Sequence, residues 1–380
     1  MKSKLFLGMI KIRKPRNRYS KFPGVLIDAN GITVTNLETT VTYRAYSALN
    51  PFTFDVDDGK VETLAKSSKE ILFTTIAPDG KVRISGDEIS VTIPPDSLED
   101  YPPIPGPASR PNVFTVFEMP WAEFCEKGMR AAKFADDNAF RRALAGIYFD
   151  FPGENKAGSF VATDGKRLAI LKGPETDREF KCIVPKEFFK AFYSITKIEK
   201  PETVRILAVE KSSSIWIEAG NFLFNQLLIE GQFPDYRRVF PSSEAVMTTT
   251  IGPAQKSIID KAGKFGDEGH GLEIFRNKLV VKDVEFPQVF EFEGTMEFSP
   301  MFNAGFLSDF TDEDFDVEIF GHERPMMLHA EDACYLVMPI VKEQNKPKYR
   351  LFETGELPEP EPEPEPEPKT AEETPVENPA

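Results

Sequence analysis

The chain is poor in the residues that site chemistry most often needs. Its 380 residues include three histidines, three cysteines and two tryptophans. Cys125, Cys182 and Cys334 are widely spaced and form no CxxC pair, which argues against a disulfide framework or a cysteine zinc site and fits a reducing cytoplasm. His270, His322 and His329 build no HExxH and stand beside no nucleophile pattern. A GxxxxGK[ST] phosphate loop is missing, as is a GxGxxG behind a strand. No apolar run reaches the ~18 residues that span a bilayer. The basic N-terminus lacks the apolar centre and small-residue cleavage site of a signal peptide. These absences point to a non-catalytic protein with no cofactor, no metal and no membrane span. Asp312-Glu313-Asp314 reads as a solvated acidic loop.

What is present suits large cores. Hydrophobic residues make up 41% of the chain and 33 residues are Phe. The length suggests two or three domains. The net charge of -15 at first argues against nucleic acid, but its distribution is uneven. Residues 1–21 carry eight Lys or Arg and no acid, whereas residues 353–380 carry ten Glu and one Lys. An acidic exterior with local basic patches remains compatible with DNA.

One pattern recurs three times at a spacing near one hundred residues: helix, strand pair, helix, strand pair. Its second helix is the clearest part. An extended stretch and a helix start lead into apolar residues at helical spacing over 61–66, 188–195 and 301–310. Phe188, Phe189, Phe192 and Ile195 share one face, as do Phe302, Phe306 and Phe310. The opening helix is strong at Trp121, Phe124, Cys125, Gly128, Met129 and Ala132, is expected again over 253–263, and is short in the first unit, over 5–12. Alternation marks strands over 24–43, 147–171 and 272–292, with closing strands over 81–93, 214–229 and 315–340. The reading is an α+β chain of three similar domains, each with two helices and antiparallel sheets, bounded at 1–110, 111–242 and 243–342. Residues 343–380 form a Pro/Glu-rich tail. Within it, strict Pro-Glu alternation over 358–368 predicts a polyproline-II-like spacer of roughly 34 Å at ~3.1 Å per residue.

The most informative phrase is Gly231-Gln232-Phe233-Pro234-Asp235-Tyr236-Arg237-Arg238-Val239-Phe240-Pro241. It is too rigid and too apolar for an ordinary loop, and it reads as the wall of a site or a domain junction. It resembles a segment of the bacterial DNA polymerase III sliding clamp, the β subunit. Thr163-Asp164-Gly165-Lys166-Arg167-Leu168-Ala169 and Tyr335-Leu336-Val337-Met338-Pro339-Ile340 resemble that family too, in the family's order.

The resemblance implies a ring of two three-domain protomers joined head to tail, with helices lining the hole and sheets on the rim. Its expected partners are duplex DNA without sequence preference, the polymerase, the clamp loader and other proteins carrying short clamp-binding motifs, and a second copy of the chain. Its expected place is the cytoplasm, at the nucleoid. DNA contacts are expected from Lys11, Arg13, Lys14, Arg16 and Arg18, from Arg130 and Lys133, and from Asn138, Arg141 and Arg142. The resemblance further implies a hydrophobic peptide groove between domains 2 and 3. Its lining would be Leu144, Thr163, Gly165, Lys166, Arg167, Leu168, Pro234, Arg238, Val239, Leu336, Val337, Met338, Pro339 and Ile340. Lys166 stands where the family often has histidine, and Ile340 where a second methionine is common. In the tail, Tyr349-Arg350-Leu351-Phe352 loosely resembles the Leu-Phe end of a clamp-binding peptide. A clamp-like peptide-binding regulator that does not encircle DNA is the alternative, favoured by a failed dimer interface. A DNA-modifying enzyme on the same domains would need a carboxylate-dependent activity that no motif here predicts.

Overall fold

A computed structural model describes residues 1–13, 24–48, 50–56, 59–76, 81–99, 101–104, 106–138, 140–264, 271–275, 278–281, 284–286, 293–294, 300–310 and 314–340. Lys14, Arg16, Arg18, His270 and the tail with its Tyr349–Phe352 motif therefore lie outside the described residues.

The element order repeats. The first unit runs α1 (Ser3–Ile10), β1 (Val25–Asp28), β2 (Gly31–Thr35), β3 (Thr39–Tyr43), β4 (Phe52–Phe54), α2 (Lys60–Ser67), β5 (Leu72–Ile76), β6 (Lys81–Ser85) and β7 (Ser90–Ile93). The second runs β8 (Phe114–Pro120), α3 (Trp121–Ala132), β9 (Gly146–Pro152), β10 (Lys156–Thr163), β11 (Arg167–Thr176), β12 (Glu179–Pro185), α4 (Lys186–Thr196), β13 (Thr203–Ala208), β14 (Ser214–Ala219) and β15 (Phe222–Leu227). The third runs β16 (Met247–Ile251), α5 (Pro253–Gly263), β17 (Gly271–Phe275), β18 (Lys278–Val281), β19 (Val284–Phe286), β20 (Glu293–Gly294), β21 (Met301–Asn303), α6 (Ala304–Ser308), β22 (Phe315–Ile319), β23 (Met326–His329) and β24 (Ala333–Val337). In the first unit the place of β8 and β16 is held by a single bridge, Lys2 to Glu70.

Helix α3 buries Trp121, Phe124, Cys125, Gly128 and Ala131, and α4 buries Phe188, Phe189, Phe192 and Ile195. This is the apolar stripe of an amphipathic helix. Pro120 and Pro185 sit at the two N-caps, where a missing N–H is harmless and the strand must stop. The helices pack closely at Gly128. A β-carbon there would stand 2.0 Å from Cδ1 of Phe189. Gly128→Ala should therefore destabilise, although alanine is the better helix former by ~1 kcal/mol. Overpacking of this kind costs about 1–3 kcal/mol, so the expected outcome is a lower Tm in a thermal melt.

Two expected helices shift. In the first unit the helix covers Ser3–Ile10 rather than 5–12, and Ile12 stays buried beyond it. In the third, strand β21 continues to Asn303. There the side-chain oxygen accepts from the Gly305 amide at 2.9 Å and starts the helix late.

The sheets cross unit boundaries. Strand β3 pairs antiparallel with β15, making an eight-stranded sheet in the order β4-β1-β2-β3-β15-β14-β13-β8. Strand β11 pairs antiparallel with β24, making a nine-stranded sheet in the order β12-β9-β10-β11-β24-β23-β22-β16-β20. The remaining sheets are β5-β6-β7 and β19-β18-β17-β21. In both seams the third strand after the opening helix of one unit meets the last strand of the next.

Side chains fasten the seams. The Tyr43 hydroxyl donates to Glu199 at 2.5 Å, and Thr39 donates to Gln226 at 2.6 Å. At the second seam Lys127, only 3% exposed, donates to Asp332, and Arg130 donates from Nε to the Tyr335 hydroxyl at 3.0 Å. Burial alone would raise the Asp332 pKa, but the hydrogen bond and charge of Lys127, with Arg130, bring it below the usual range. A depressed carboxylate contributes stability above its unfolded pKa and loses it as pH falls through the folded one. Acid titration below about pH 4 should thus weaken this seam. Asp332→Asn should flatten that part of the Tm-versus-pH curve; an unchanged curve would contradict the assignment.

Candidate functional site

Strand alternation gives the nine-stranded sheet two apolar faces. On one, Ala169, Leu171, Ala333, Tyr335 and Val337 enter the main core. On the other, Val161, Leu168, Ile183, Met327 and Leu336 form a smaller buried cluster with Phe233 and Tyr236. Ala143, Leu144, Tyr148, Ile170, Phe320 and Cys334 pack against it, partly exposed. Leu168 lies opposite Leu336 across the β11–β24 seam, so the cluster straddles the second and third units.

Residues 229–240 wall this cluster. The Ile229 amide donates to the Ile183 carbonyl at 2.9 Å. The Phe233 ring stacks on Tyr148, with centroids 4.7 Å apart and planes 6° apart. A single 3-10 turn, Tyr236–Val239, then presents Arg238 and Val239 outward. Val239 is 45% exposed and Met338 41%, which leaves two large apolar side chains in water at the site's edge. The Met338 amide donates to the Lys166 carbonyl at 2.8 Å, tying the end of β24 to the turn before β11.

That turn is built by its own side chains. Asp164 Oδ1 accepts from the amides of Lys166 and Arg167 at 2.9 and 3.0 Å. Gly165 has φ of +84°, which favours glycine. The Thr163 hydroxyl, buried, donates to the Arg167 carbonyl at 2.6 Å and accepts from Gly165 at 3.0 Å.

Of the expected lining residues, Leu144, Leu168 and Leu336 meet in this cluster, Met338 is tied to the Gly165-Lys166 turn, Pro234, Arg238 and Val239 lie in the adjoining wall, and the Ile340 amide donates to the Met301 carbonyl at 2.7 Å; three others have different surroundings. Val337 is fully buried in the main core, because it alternates with Leu336. Thr163 shapes the turn. Arg167 is spent internally: its guanidinium donates to Asp164 at 3.0 Å, to Asp309 and to the Lys133 carbonyl at 2.7 Å, and it lies over the Phe134 and Phe306 rings. Sequence reading missed Tyr148, Ile170, Phe233, Tyr236, Met327 and Phe320. Alternation along β23 was the available signal, since Met327 must oppose the face of Met326 and Leu328.

The expected DNA contacts divide similarly. Lys11, Lys133, Asn138 and Arg142 are exposed. Arg13 pairs with Asp55 at 3.2 Å and its side chain is 7% exposed. Arg130 binds Glu126 at 2.6 Å and Tyr335 at the seam. Arg141 pairs with Asp136 at 2.7 Å and reaches toward Gly165, beside the apolar cluster. An overlooked basic stripe runs along α4, where Lys190 and Lys197 lie exposed at helical spacing from Lys186, opposite the phenylalanine face.

Burial pushes the Cys125 and Cys334 thiols up to about 12 and about 11, and Cys182 is pushed up as well. None is thus a ready thiolate. Among the described residues no three His, Cys, Asp or Glu side chains gather as a metal site, and no helix is long and apolar enough to cross a membrane.

Comparison with known proteins agrees with this architecture. The family described as DNA polymerase III beta subunit, central domain, matches residues 125–235. The beta sliding clamp of Treponema pallidum is 26% identical over 235 residues, which is 59% of this chain and 61% of that protein. That of Escherichia coli is 34% identical over 106 residues, 27% of each chain. The match to the Helicobacter pylori clamp spans 49% of this chain and 48% of that protein, so the chain spans about half the length of the curated relatives it matches. The beta subunit of Streptococcus pyogenes DNA polymerase superposes with a TM-score of 0.74 at 16% identity, over 90% of this chain and 99% of that one. A Pseudomonas aeruginosa sliding clamp bound to griselimycin gives 0.74 at 19%, over 90% and 98%. Residues 125–235 thus resemble the central domain of the DNA polymerase III β-subunit family, and about 90% of the chain shares the fold of those β subunits. The family match ends inside the 231–241 wall, so it covers the second unit's cluster residues as far as Phe233 and leaves Tyr236 outside. The first and third units are carried by the fold.

Proposed function

We propose that this chain is a DNA sliding clamp, a non-catalytic processivity factor that encircles duplex DNA as a head-to-tail homodimer. Its domains are 1–110, 111–242 and 243–342. The observation that carries the reading is the seam rule. The third strand after the opening helix meets the next unit's last strand at β3–β15 and at β11–β24, and the same rule leaves β19 of one copy to pair with β7 of another. Both are outer strands of their sheets. Two such pairings close a cyclic dimer, the form a heterologous contact takes when its rotation closes.

Such a ring holds DNA by linkage. Its contacts need only be weak, salt-sensitive and indifferent to sequence, so it slides without leaving. Lys11, Lys133, Asn138, Arg142, Lys190 and Lys197 are the exposed side chains suited to that role. The apolar cluster beside residues 231–241 serves as the groove for short peptides of the polymerase, the clamp loader and other partners. Met338 and Val239 would cover a Leu or Phe side chain, and Arg238 would bind the peptide's polar end. The family relationship favours this reading over a regulator that does not encircle DNA. Its test is topological. Protein loaded on nicked circular DNA should stay bound through gel filtration and be released when the circle is cut; equal retention on both forms would overturn it.

A further inference from the structure

The groove wall is held by a buried carboxylate that no sequence motif marks. Asp150 lies on β9, two residues from Tyr148 and on the same face, and it is 3% exposed. It accepts hydrogen bonds from the Tyr236 hydroxyl at 2.8 Å and from Nη2 of Arg237 at 2.6 Å. The Arg237 guanidinium also lies over the Tyr236 ring, 4.7 Å from its centroid. Burial and the Asp150 contact push the Tyr236 pKa upward, so the hydroxyl remains a donor at neutral pH.

The two β9 side chains thus grip the wall at neighbouring points. Tyr148 takes Phe233 by stacking, and Asp150 takes Tyr236 and Arg237 by charge-assisted bonds. Stacking alone is weakly directional, whereas hydrogen bonds to a buried carboxylate fix which side chains face inward. Arg237 and Arg238, adjacent in sequence, consequently differ in role. Arg237 is turned onto Asp150, while Arg238 stands 84% exposed with Asp235 at 3.0 Å.

We propose that Asp150 is a positioning residue for peptide binding, holding Tyr236 and Arg237 so that Pro234, Arg238 and Val239 are in place before a peptide arrives. The peptide part of this inference rests on the groove reading above; the latch itself does not. Preorganisation of this kind strengthens binding by removing the ordering penalty.

The test uses the full-length protein with Tyr236→Phe, which removes only the hydroxyl, and Asp150→Asn, which keeps an acceptor but removes the charge. Hydrogen exchange is followed at the Arg238 and Val239 amides, and anisotropy with a fluorescent octapeptide ending in Leu-Phe. Both variants should exchange about tenfold faster there and bind the octapeptide about tenfold more weakly, as loss of one hydrogen bond to a charged group implies. Solution mass should not change. Tyr236→Phe should add little in an Asp150→Asn background, a coupling that a general loss of stability would not produce. Unchanged exchange in both variants would overturn the latch. Faster exchange with parental peptide affinity would overturn the positioning role. If the parent itself fails to bind the octapeptide while the variants exchange faster, the groove reading falls, taking the positioning role with it and leaving Asp150 as an anchor alone.

Discussion

Proline at the outward-facing one of Val91 and Thr92 is expected to convert the proposed dimer to monomer. Strand β7 pairs with β6 through Ile84–Val91 and Arg83–Thr92, and its other edge is the one proposed to receive β19 of a second copy. Successive residues of a strand point their N–H groups to opposite sides. One of the two prolines therefore removes a donor from the β6 ladder, and the other removes one from the proposed interface. The interface variant should keep the parental Tm, and the ladder variant should not. A head-to-tail dimer contains the same interface twice, so a tenfold weakening at each compounds to about a hundredfold in the dimer constant. Light scattering should report a mass near 42.8 kDa at concentrations where the parent is twice that. Retention on circular DNA should disappear with it.

A second large effect is expected at the groove edge. Glu in place of Met338 or Val239 should weaken binding of the Leu-Phe octapeptide by about a hundredfold, while mass and Tm remain parental. Both side chains are substantially exposed in the free protein, so the substitution disturbs no core contact. In the complex a carboxylate would be pressed against apolar atoms without a partner, a penalty of roughly 2–4 kcal/mol after partial rehydration. The comparison that isolates the effect is Leu168→Glu. Leu168 is 4% exposed in the cluster, so that change should lower Tm as well as affinity. Equal affinity for parent and Met338→Glu would remove Met338 from the groove.

Much of the architecture was legible because its signals are local. The proline N-caps and the phenylalanine stripes of α3 and α4 state where helices begin and which face is buried. The Asp164-Gly165 turn states its own hydrogen bonds. The candidate site was legible in part, since the 231–241 phrase, too constrained to be a simple connection, contributes Phe233 and Tyr236 to the apolar cluster. Partner choice across long sequence distance was not legible. Arg167 reads as a free cation until Asp309, 142 residues away, comes within reach. Arg130 reads as a helix-surface arginine until Tyr335 folds over it. Val337 and Leu336 are equally apolar in the sequence, and only the register of β24 against β11 sends them to opposite faces. Asp150 carried no signal at all, because a single carboxylate in an apolar strand does not reveal which distant donors will satisfy it.

Ring closure fixes the solution mass of the intact protein at twice that of one chain. Light scattering across a range of concentrations should give twice 42.8 kDa, with retention on circular but not linear DNA in the same preparation. A monomer at every concentration would leave β7 and β19 without each other and rule out the ring, leaving a peptide-binding protein that does not encircle DNA.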